Sequence, residues 1–488
     1  MEYNKIMSVA KRYSFEEKVN VLFNSSSTII NIKKYKIDLS GKYAYPWELE
    51  TLYIFFILAE EWGNSNFRGK NYKMFVNMVN CVRNYYNEKI EDSSPEKLLR
   101  NFLIINGPSQ FENQRSFYCI MYRYNYIFSF ENEIINMKQE FYNAYKLEYG
   151  KFLKFSFLAF VFFGLNNIIK FDVKKITEFL LAKNLDVVSH LIISREDCVD
   201  KVNEFAKNPV DYVSCVKPCS QYPFIKYKSI IYLVMPHCII SSCTSSLLFR
   251  LTDKKNKLRE LIGKNVIEKY LEDILKESKI FDEVVGETEF QYRRNRLKSS
   301  DVMCRKEDKC VFFDSKLLVP KASVRCLDEE AIDNYIEKIC DGVKQLYKQL
   351  KLYFNKYLFP FKEKVVSDIQ NYYGILVLFD DSYIERKEIY EKFAEKNNID
   401  KESEDYYWII NNLKICSLYD VEKYVFTGSC IINSLIKQKE KKEPYNYPLS
   451  TGLDNSKSEL PSFMEFRKKL YDEYYDEFLE ELKGAGLV

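Results

Sequence analysis

The stretch Glu287–Pro320, ETEFQYRRNRLKSSDVMCRKEDKCVFFDSKLLVP, contains two apolar-rich runs on either side of the charged break RKEDK. If Glu307 and Asp308 form a two-residue turn, residues whose numbers sum to 615 face each other across an antiparallel hairpin. The turn Glu307-Asp308 lacks the glycine that two-residue turns prefer. Asp301 of the first run then lies opposite Asp314 of the second. Because directly opposed side chains lie about 5 Å apart, the two carboxylates are placed to hold one cation.

The second run predicts a central strand that carries an unusual acid. Alternation places Asp314 and Lys316 on one face together with Phe312, whereas Val311 and Phe313 lie on the other. Apolar residues on both faces are typical of a strand in the middle of a sheet, where an acid without a partner is costly. We therefore interpret the two acids as part of a functional site. The alternative is that both are ordinary hairpin charges paired with basic neighbours.

The order acid, spacer, apolar-apolar-Asp-x-Lys resembles the motif of the PD-(D/E)XK nuclease superfamily. Here twelve residues separate Asp301 from Asp314, and Lys316 closes the motif. Ser300 stands where the family has proline. The resemblance covers about residues 258–427 and implies an α/β, restriction-endonuclease-like core with a mixed central sheet flanked by helices. The expected elements are a helix near 265–279, a strand near 283–290, the hairpin, a helix near 328–352, a strand over 373–379, a helix near 386–396 and a strand near 415–418.

The resemblance also implies a set of catalytic residues. Asp301 and Asp314 would bind the metal, Mg²⁺ or alternatively Mn²⁺, and Lys316 would position the water or offset charge on the phosphate. The family often supplies a further acid from the first core helix, where Glu268 lies at the edge of an apolar stripe. Glu268 would complete the metal shell or polarise the water, unless it is only a solvated helix residue. The alternatives for this third acid are Glu287 and Glu289.

Other features bear on the nucleic acid that would be bound. Gln349 and Tyr353 resemble a Q-x-x-x-Y signature of some branches of the superfamily. The resemblance implies a nuclease, more an endonuclease than an exonuclease, that acts on DNA rather than RNA in restriction or anti-phage defence, with repair or recombination as other roles. The contrasting hypothesis is a non-catalytic module on the same fold that binds nucleic acid or a partner. Four cations upstream of the hairpin either line a phosphate-binding groove or are solvated charges at a strand end: Arg293, Arg294, Arg296 and Lys298.

Composition limits the other possibilities. The chain has 488 residues, enough for two or three domains, of which 47% are hydrophobic and 29% charged. Because the net charge is only +3, a nucleic-acid surface must be a local patch. The two histidines, His190 and His237, are too few for a histidine-rich metal site, which favours carboxylate ligands. The glycines never cluster into a phosphate loop, so an NTPase domain is not expected.

Residues 1–208 predict a mainly α-helical N-terminal domain. Gly107-Pro108 predicts a break between two of its helices. We interpret this domain as a scaffold, or as a sensor or substrate-guiding domain through which a homo-oligomer or a regulatory partner would be contacted. One helix is expected to begin at Pro46, where proline and acids suit a first turn. Further helices are expected near 71–90, 131–148 and 174–182.

Residues 209–250 predict a hairpin around the turn 226–229 and a helix that leads into the nuclease core at 251–436. The thirteen cysteines include no C-x-x-C pair, and the first residues have no apolar signal core, which together predict reduced thiols and a cytoplasmic location. A zinc site with His237 would need spacings that match structural zinc sites poorly, so buried free thiols are expected instead. The cysteines concerned are Cys215, Cys219, Cys238 and Cys243.

Residues 437–488 predict a linker and a C-terminal helix. The charge run 437–443 and the loop 444–461 are typical of an exposed connection. From Ser462 to Lys483 apolar residues recur at near-helical spacing, which predicts a helix that docks on the body. The acidic face of this helix argues against membrane binding, and the longest apolar run, 155–165, is too short to span a bilayer.

Overall fold

The computed structural model describes residues 2–30, 36–39, 42–59, 63–67, 72–91, 94–165, 173–362, 368–441, 449, 453 and 459–484. The helices are α1 Glu2–Ala10, α2 Phe15–Ser26, α3 Pro46–Leu58, α4 Tyr72–Glu91, α5 Pro95–Phe111, α6 Phe117–Ser129, α7 Met137–Tyr145, α8 Tyr149–Leu165, α9 Val173–Val188, α10 Arg195–Phe205, α11 Cys238–Ser242, α12 Ser245–Thr252, α13 Asn256–Leu261, α14 Glu268–Ser278, α15 Ala322–Arg325, α16 Glu329–Phe354, α17 Arg386–Lys396, α18 Glu404–Asn412, α19 Leu418–Phe426, α20 Ile431–Lys439 and α21 Pro461–Gly484. The strands are β1 Ile37–Asp38, β2 Tyr43–Ala44, β3 Ile192–Ser194, β4 Phe224–Tyr227, β5 Ile230–Leu233, β6 Glu283–Gly286, β7 Glu289–Tyr292, β8 Asn295–Lys298, β9 Val302–Lys306, β10 Lys309–Lys316, β11 Tyr372–Leu378 and β12 Leu413–Ser417.

A mixed five-stranded sheet forms the centre of the molecule, in the order β12-β11-β10-β9-β6. β10, β11 and β12 run parallel, whereas β9 is antiparallel to both β10 and β6. The predicted α/β class, a mixed sheet flanked by helices, is therefore confirmed. β11 is buried at every position, which explains why its sequence is apolar throughout. α16 and α17 also form where the sequence pattern placed them.

The hairpin between β9 and β10 has the predicted register. Its pairs begin with Lys306 opposite Lys309, and every pair sums to 615. Glu307 takes the left-handed conformation that such a turn requires, with φ 53°. The Glu307 amide donates a hydrogen bond to Asp282 Oδ2 at 2.7 Å, which offsets part of the strain that glycine would have avoided.

The strand predicted near 283–290 is wrong in its second half. β6 ends at Gly286, and β7 pairs instead with β8 in a separate two-stranded sheet. Continuation of the β6–β9 register would place Glu287 directly opposite Asp301, and like charges in that position are destabilising. The chain leaves the central sheet at this point, and the Ser299 amide donates to the Thr288 carbonyl at 2.8 Å at the base of the small sheet.

The N-terminal part is mainly helical, but the break predicted at Gly107-Pro108 is wrong. α5 continues through both residues to Phe111. Gly107 packs tightly against Tyr383, since a Cβ added to Gly107 would lie 2.2 Å from ring atom Cδ1. Tertiary packing thus holds a helical turn that local propensity disfavours.

Two other predictions for the part of the chain before the central sheet need adjustment. The helix predicted near 131–148 is shorter, because Asn132 Oδ1 accepts the Ile135 amide in a turn before α7, and Lys146 takes φ 55° after it. The hairpin predicted within 209–250 is formed by β4 and β5. A third strand, β3, pairs with β4 in parallel, and its three residues were too few to stand out as a pattern.

The two faces of the central sheet bury different parts of the chain. Val311 and Phe313 belong to one buried cluster that includes residues from Ile6 to Leu482. Phe312 points to the opposite face, into a cluster built largely by α16, α17 and α18. Hydrophobic packing is therefore continuous across the predicted domain boundaries at 208, 250 and 436, and these boundaries stay a prediction.

The C-terminal helix α21 docks on the body as expected. Its residues Phe463, Phe466 and Leu470 are buried, and Tyr471 OH lies 2.5 Å from Tyr118 OH of α6. No helix in the described part of the chain combines the length and the apolar character that crossing a membrane requires.

The predicted linker begins later than expected. The charge run 437–443 is helical up to Lys439, because α20 buries Ile431, Ile432 and Leu435 along one face and continues to that residue. Most of the loop predicted at 444–461 lies outside the described residues.

Candidate metal centre

The hairpin brings Asp301 and Asp314 together as the sequence predicts. Asp301 immediately precedes β9, and its amide donates to Asp314 Oδ1 at 3.2 Å. The Ser315 amide and hydroxyl donate to Asp301 Oδ2 at 2.6 and 3.0 Å. Asp314 is 0% exposed and Asp301 8% exposed. The backbone of the two strands therefore holds both carboxylates in place within the protein.

Glu268 reaches the same cluster from a distorted helix. A π-helical segment, Ile262–Ile267, joins α13 to α14, and Glu268 is the first residue after it. Segments of this kind shift side chains out of regular helical register and occur frequently at functional sites. Val266 and Ile267 are buried, which holds the segment against the body. The helix thus presents a half-buried Glu268 near Asp301.

Burial raises the pKa of all three acids, and the charge of Asp301 adds to the shift of the other two. Burial, and then the charge of Asp301, raise the pKa of Asp314 to about 7. Burial, followed by Asp301 and Glu287, raises the pKa of Glu268 to about 8. The pKa of Asp301 is also raised by burial, although the Ser315 amide and Lys316 oppose the shift. Buried acids that repel one another in this way are typical of a site that binds a cation.

Lys316 supplies the only basic side chain that the predicted motif contains. Its charge lowers the pKa of Asp301, Asp314 and Glu268, so it lies close to all of them in electrostatic terms. Its Nζ donates to Gln345 Oε1 of α16 at 3.3 Å. Gln345 therefore orients the lysine at the end of the central strand.

The possible Gln349–Tyr353 signature divides between the site and the core. Gln349 Nε2 donates to the Lys298 carbonyl at 2.6 Å, close to the base of the small sheet. Tyr353 packs instead against Phe312, with ring centroids 5.3 Å apart. Tyr353 therefore has a packing role, whereas Gln349 bonds to the backbone beside the acids.

The four predicted nucleic-acid-binding cations lie together on the exposed hairpin of β7 and β8, and their binding role stays a prediction. Lys298 pairs with Glu287, and Arg296 Nε lies 2.5 Å from Glu289 Oε2. Of the two alternative third acids, Glu287 raises the pKa of Glu268 and Asp301, whereas Glu289 is held by Arg296 on the small sheet. The remaining two cations, Arg293 and Arg294, are exposed at the turn.

The donor set fits a hard divalent cation. Carboxylate oxygens are the ligands that Mg²⁺ and Mn²⁺ prefer. Asp314 Oδ2 is buried and has no hydrogen-bond partner among the described residues, so one ligand atom is available. Asp301 and Asp314 are joined through the Asp301 amide, whereas the oxygens of Asp301, Asp314 and Glu268 do not all lie within 4.8 Å of one another.

Sequence reasoning did not single out Ser315 and Gln345. Ser315 is the variable residue of the Asp-x-Lys motif, and its hydroxyl and amide both hold Asp301. Gln345 lies one helical turn before Gln349 on α16, a spacing that would have indicated a shared face. No protein-family description, curated protein or solved structure matches this chain.

Proposed function

We propose that this chain is a metal-dependent nuclease with a restriction-endonuclease-like core of the PD-(D/E)XK type. The observation that carries the proposal is the pair of buried acids at the end of the central hairpin, with one carboxylate oxygen of Asp314 left without a partner. Lys316 follows on the same strand, and Glu268 approaches from the neighbouring helix. These residue types and this order on a mixed sheet support phosphodiester hydrolysis.

The chemistry divides among the residues of the site. Asp301 and Asp314 would hold Mg²⁺ or Mn²⁺, which when bound supplies positive charge for polarising the phosphate and its attacking water. Lys316 offsets negative charge that develops on the phosphate oxygens, and Gln345 holds its ammonium group in position. The pKa of Glu268 is raised to about 8, so this side chain is largely protonated near neutral pH. A bound cation would favour its carboxylate form, which would then polarise the attacking water or complete the metal shell.

DNA is the favoured substrate, with cleavage inside the strand rather than from an end. Lys298 of the β7–β8 hairpin pairs with Glu287, which raises the pKa of Glu268, so the base of this hairpin lies near the acids. The exposed cations of the hairpin would contact phosphates of a bound strand. A role in restriction or anti-phage defence rests on the family resemblance alone. A regulatory partner or a second copy would contact the helical N-terminal part.

A second candidate is a module that binds nucleic acid or a partner without cutting it. It is favoured by one observation, that the oxygens of the three acids do not all approach within 4.8 Å. The presence of Asp301, Asp314 and Lys316 together favours the enzyme, since a binding module has no need for an acid pair with a lysine beside it.

The test is incubation of the purified full-length protein with plasmid, linear DNA and RNA, with and without Mg²⁺. We expect Mg²⁺-dependent cleavage of DNA that Asp314→Asn abolishes. Asp308→Asn is the matched control, because Asp308 lies in the turn of the same hairpin, pairs with Lys309 and should have no part in the chemistry. Cleavage by Asp314→Asn at the wild-type rate would refute the proposal, and binding without cleavage would favour the second candidate.

A further inference from the structure

A second group of metal-ligating side chains lies far from the acids in the chain. His237 Nε2 is 3.0 Å from Glu50 Oε1 and 3.4 Å from Cys238 Sγ. Each of the three residues is at most 4% exposed. Glu50 belongs to α3, a helix that is buried almost all round, whereas Cys238 begins α11. Two segments separated by 187 residues therefore bring a carboxylate, an imidazole and a thiol together in the interior.

His237 Nε2 cannot make hydrogen bonds to Glu50 and Cys238 at the same time, although the Cys238 thiol also bonds to Cys219. A protonated Nε2 donates well to Glu50 but offers no lone pair to the Cys238 thiol, and an unprotonated Nε2 accepts from the thiol but faces the Glu50 oxygen with a lone pair. The other ring nitrogen, Nδ1, is buried and has no hydrogen-bond partner among the described residues. Nε2 can therefore make only one of the two contacts as a hydrogen bond, whereas a cation at the centre would bind all three groups.

Two of the three ligand separations are close to those around tetrahedral zinc, and the third is below 4.8 Å. Zinc binds imidazole nitrogen and carboxylate oxygen at about 2.0–2.1 Å and thiolate sulfur at about 2.3 Å, so tetrahedral nitrogen–oxygen and nitrogen–sulfur pairs lie about 3.3 and about 3.5 Å apart. The distances of 3.0 and 3.4 Å in this cluster are slightly shorter than these values. Mixed nitrogen, sulfur and oxygen ligands suit zinc, whereas Mg²⁺ prefers oxygen ligands throughout.

The surroundings of the cluster are consistent with a bound cation. Ser109 Oγ donates to Glu50 Oε2 at 2.5 Å, which orients the carboxylate and leaves Oε1 directed at His237.

We propose that Glu50, His237 and Cys238 bind Zn²⁺ through three protein ligands, with the fourth position open to the adjacent cavity. That cavity has a volume of about 520 Å³ and is lined by all three residues, but by none of Glu268, Asp301, Asp314 or Lys316. The zinc ties α3 to α11 and so braces the helical part of the molecule against the segment that leads into the central sheet. This site is independent of the proposed nuclease activity.

Metal content of the full-length protein tests the proposal. Protein purified after growth with Zn²⁺ should retain about one zinc per chain by elemental analysis, and Cys238→Ser should lose most of it. Cys243→Ser is the matched control, because Cys243 is a buried cysteine of the same segment that the cluster does not include. Zinc below about a tenth per chain in the wild type, or equal zinc in Cys238→Ser and the wild type, would overturn the proposal.

Cobalt substitution identifies the ligands, because Co²⁺ bound to a thiolate gives a charge-transfer band in the near ultraviolet. The band should appear in the wild type and in Asp314→Asn, and should be absent from Cys238→Ser. An equally strong band in Cys238→Ser would assign the thiolate ligand to another cysteine and refute the zinc site. If Cys238→Ser fails to fold, chelation of the wild type decides the matter: zinc removal should lower Tm, and an unchanged Tm with zinc fully removed would contradict the bracing role.

Discussion

Two buried acids on the same protein body differ in how their charges are satisfied. Glu422 accepts two hydrogen bonds from Arg123 at 2.7 Å each and a third from Tyr270 at 2.8 Å. Asp314 is equally buried, but its Oδ2 has no hydrogen-bond partner in the part of the chain that the structure describes, and the charge that shifts its pKa most is that of another acid. Removing one member of a compensated pair leaves a buried charge unpaired, whereas an uncompensated acid is typical of a site that binds a ligand.

The largest expected effect is on DNA cleavage and concerns the site that contains Asp314, not Glu422. Lys316→Ala should lower the single-turnover rate of DNA cleavage by about 10²- to 10³-fold, because it removes the cation beside the reacting phosphate. The rise of Tm with added Mg²⁺ should remain, since Asp301 and Asp314 are intact, whereas Asp301→Asn should lose both. Lys309→Ala is the matched control on the same strand. A wild-type rate for Lys316→Ala would remove this lysine from the site.

The second expected effect is on the free energy of unfolding and concerns Glu422. Glu422→Gln should lower the free energy of unfolding by about 3–5 kcal/mol, because Arg123 is then left as a buried charge without its counter-ion. Asp314→Asn should keep or raise stability, since removing a carboxylate from a repulsive group relieves that repulsion. Urea denaturation of both variants measures the contrast.

A paired replacement sharpens this comparison. When Arg123→Met is combined with Glu422→Leu, most of the loss should be recovered, because no charge then remains buried. Equal losses in Glu422→Gln and Asp314→Asn would mean that the two acids have the same structural role.

A third buried charge, Lys414 of β12, adds a pH dependence. Burial, and then Lys439, lower the pKa of Lys414 from 10.5 to about 7. Between these values the unfolded chain holds the proton and the folded chain does not, so the stability contribution of Lys414 rises with pH across this window. Lys414→Met should therefore exceed the wild type at pH 7 by on the order of 1–3 kcal/mol, and the difference should shrink toward pH 10. A difference that is constant with pH, measured by thermal unfolding, would contradict the lowered pKa.

The smallest expected effect concerns the two alternative third acids. Glu287→Gln should change the cleavage rate by a few-fold, because Glu287 raises the pKa of Glu268 and Asp301. Glu289→Gln should leave the rate unchanged, since Glu289 pairs with Arg296 on the small sheet. Both are partly exposed ion pairs, so neither change should cost more than about 1 kcal/mol of stability. Equal rates for the two variants would show that Glu287 has no part in the site.

The local sequence determined the hairpin and its acids. A two-residue turn and strict alternation specify which residues face each other, so the pairing of β9 with β10 and the closeness of Asp301 and Asp314 followed from counting. Long apolar runs likewise predicted β11 and α16, because their burial makes the pattern strong. These features depend on neighbours in the chain.

Tertiary contacts decided the rest. The helix through Gly107-Pro108 is held by Tyr383, and β6 ends at Gly286, where the chain turns into the separate β7–β8 sheet. Glu422 pairs with Arg123 across 299 residues, and Glu50 pairs with His237 across 187 residues. Separations this long leave no local sequence pattern from which either pair could be predicted. Burial makes such charges require partners, but only the folded chain determines which partner lies within reach.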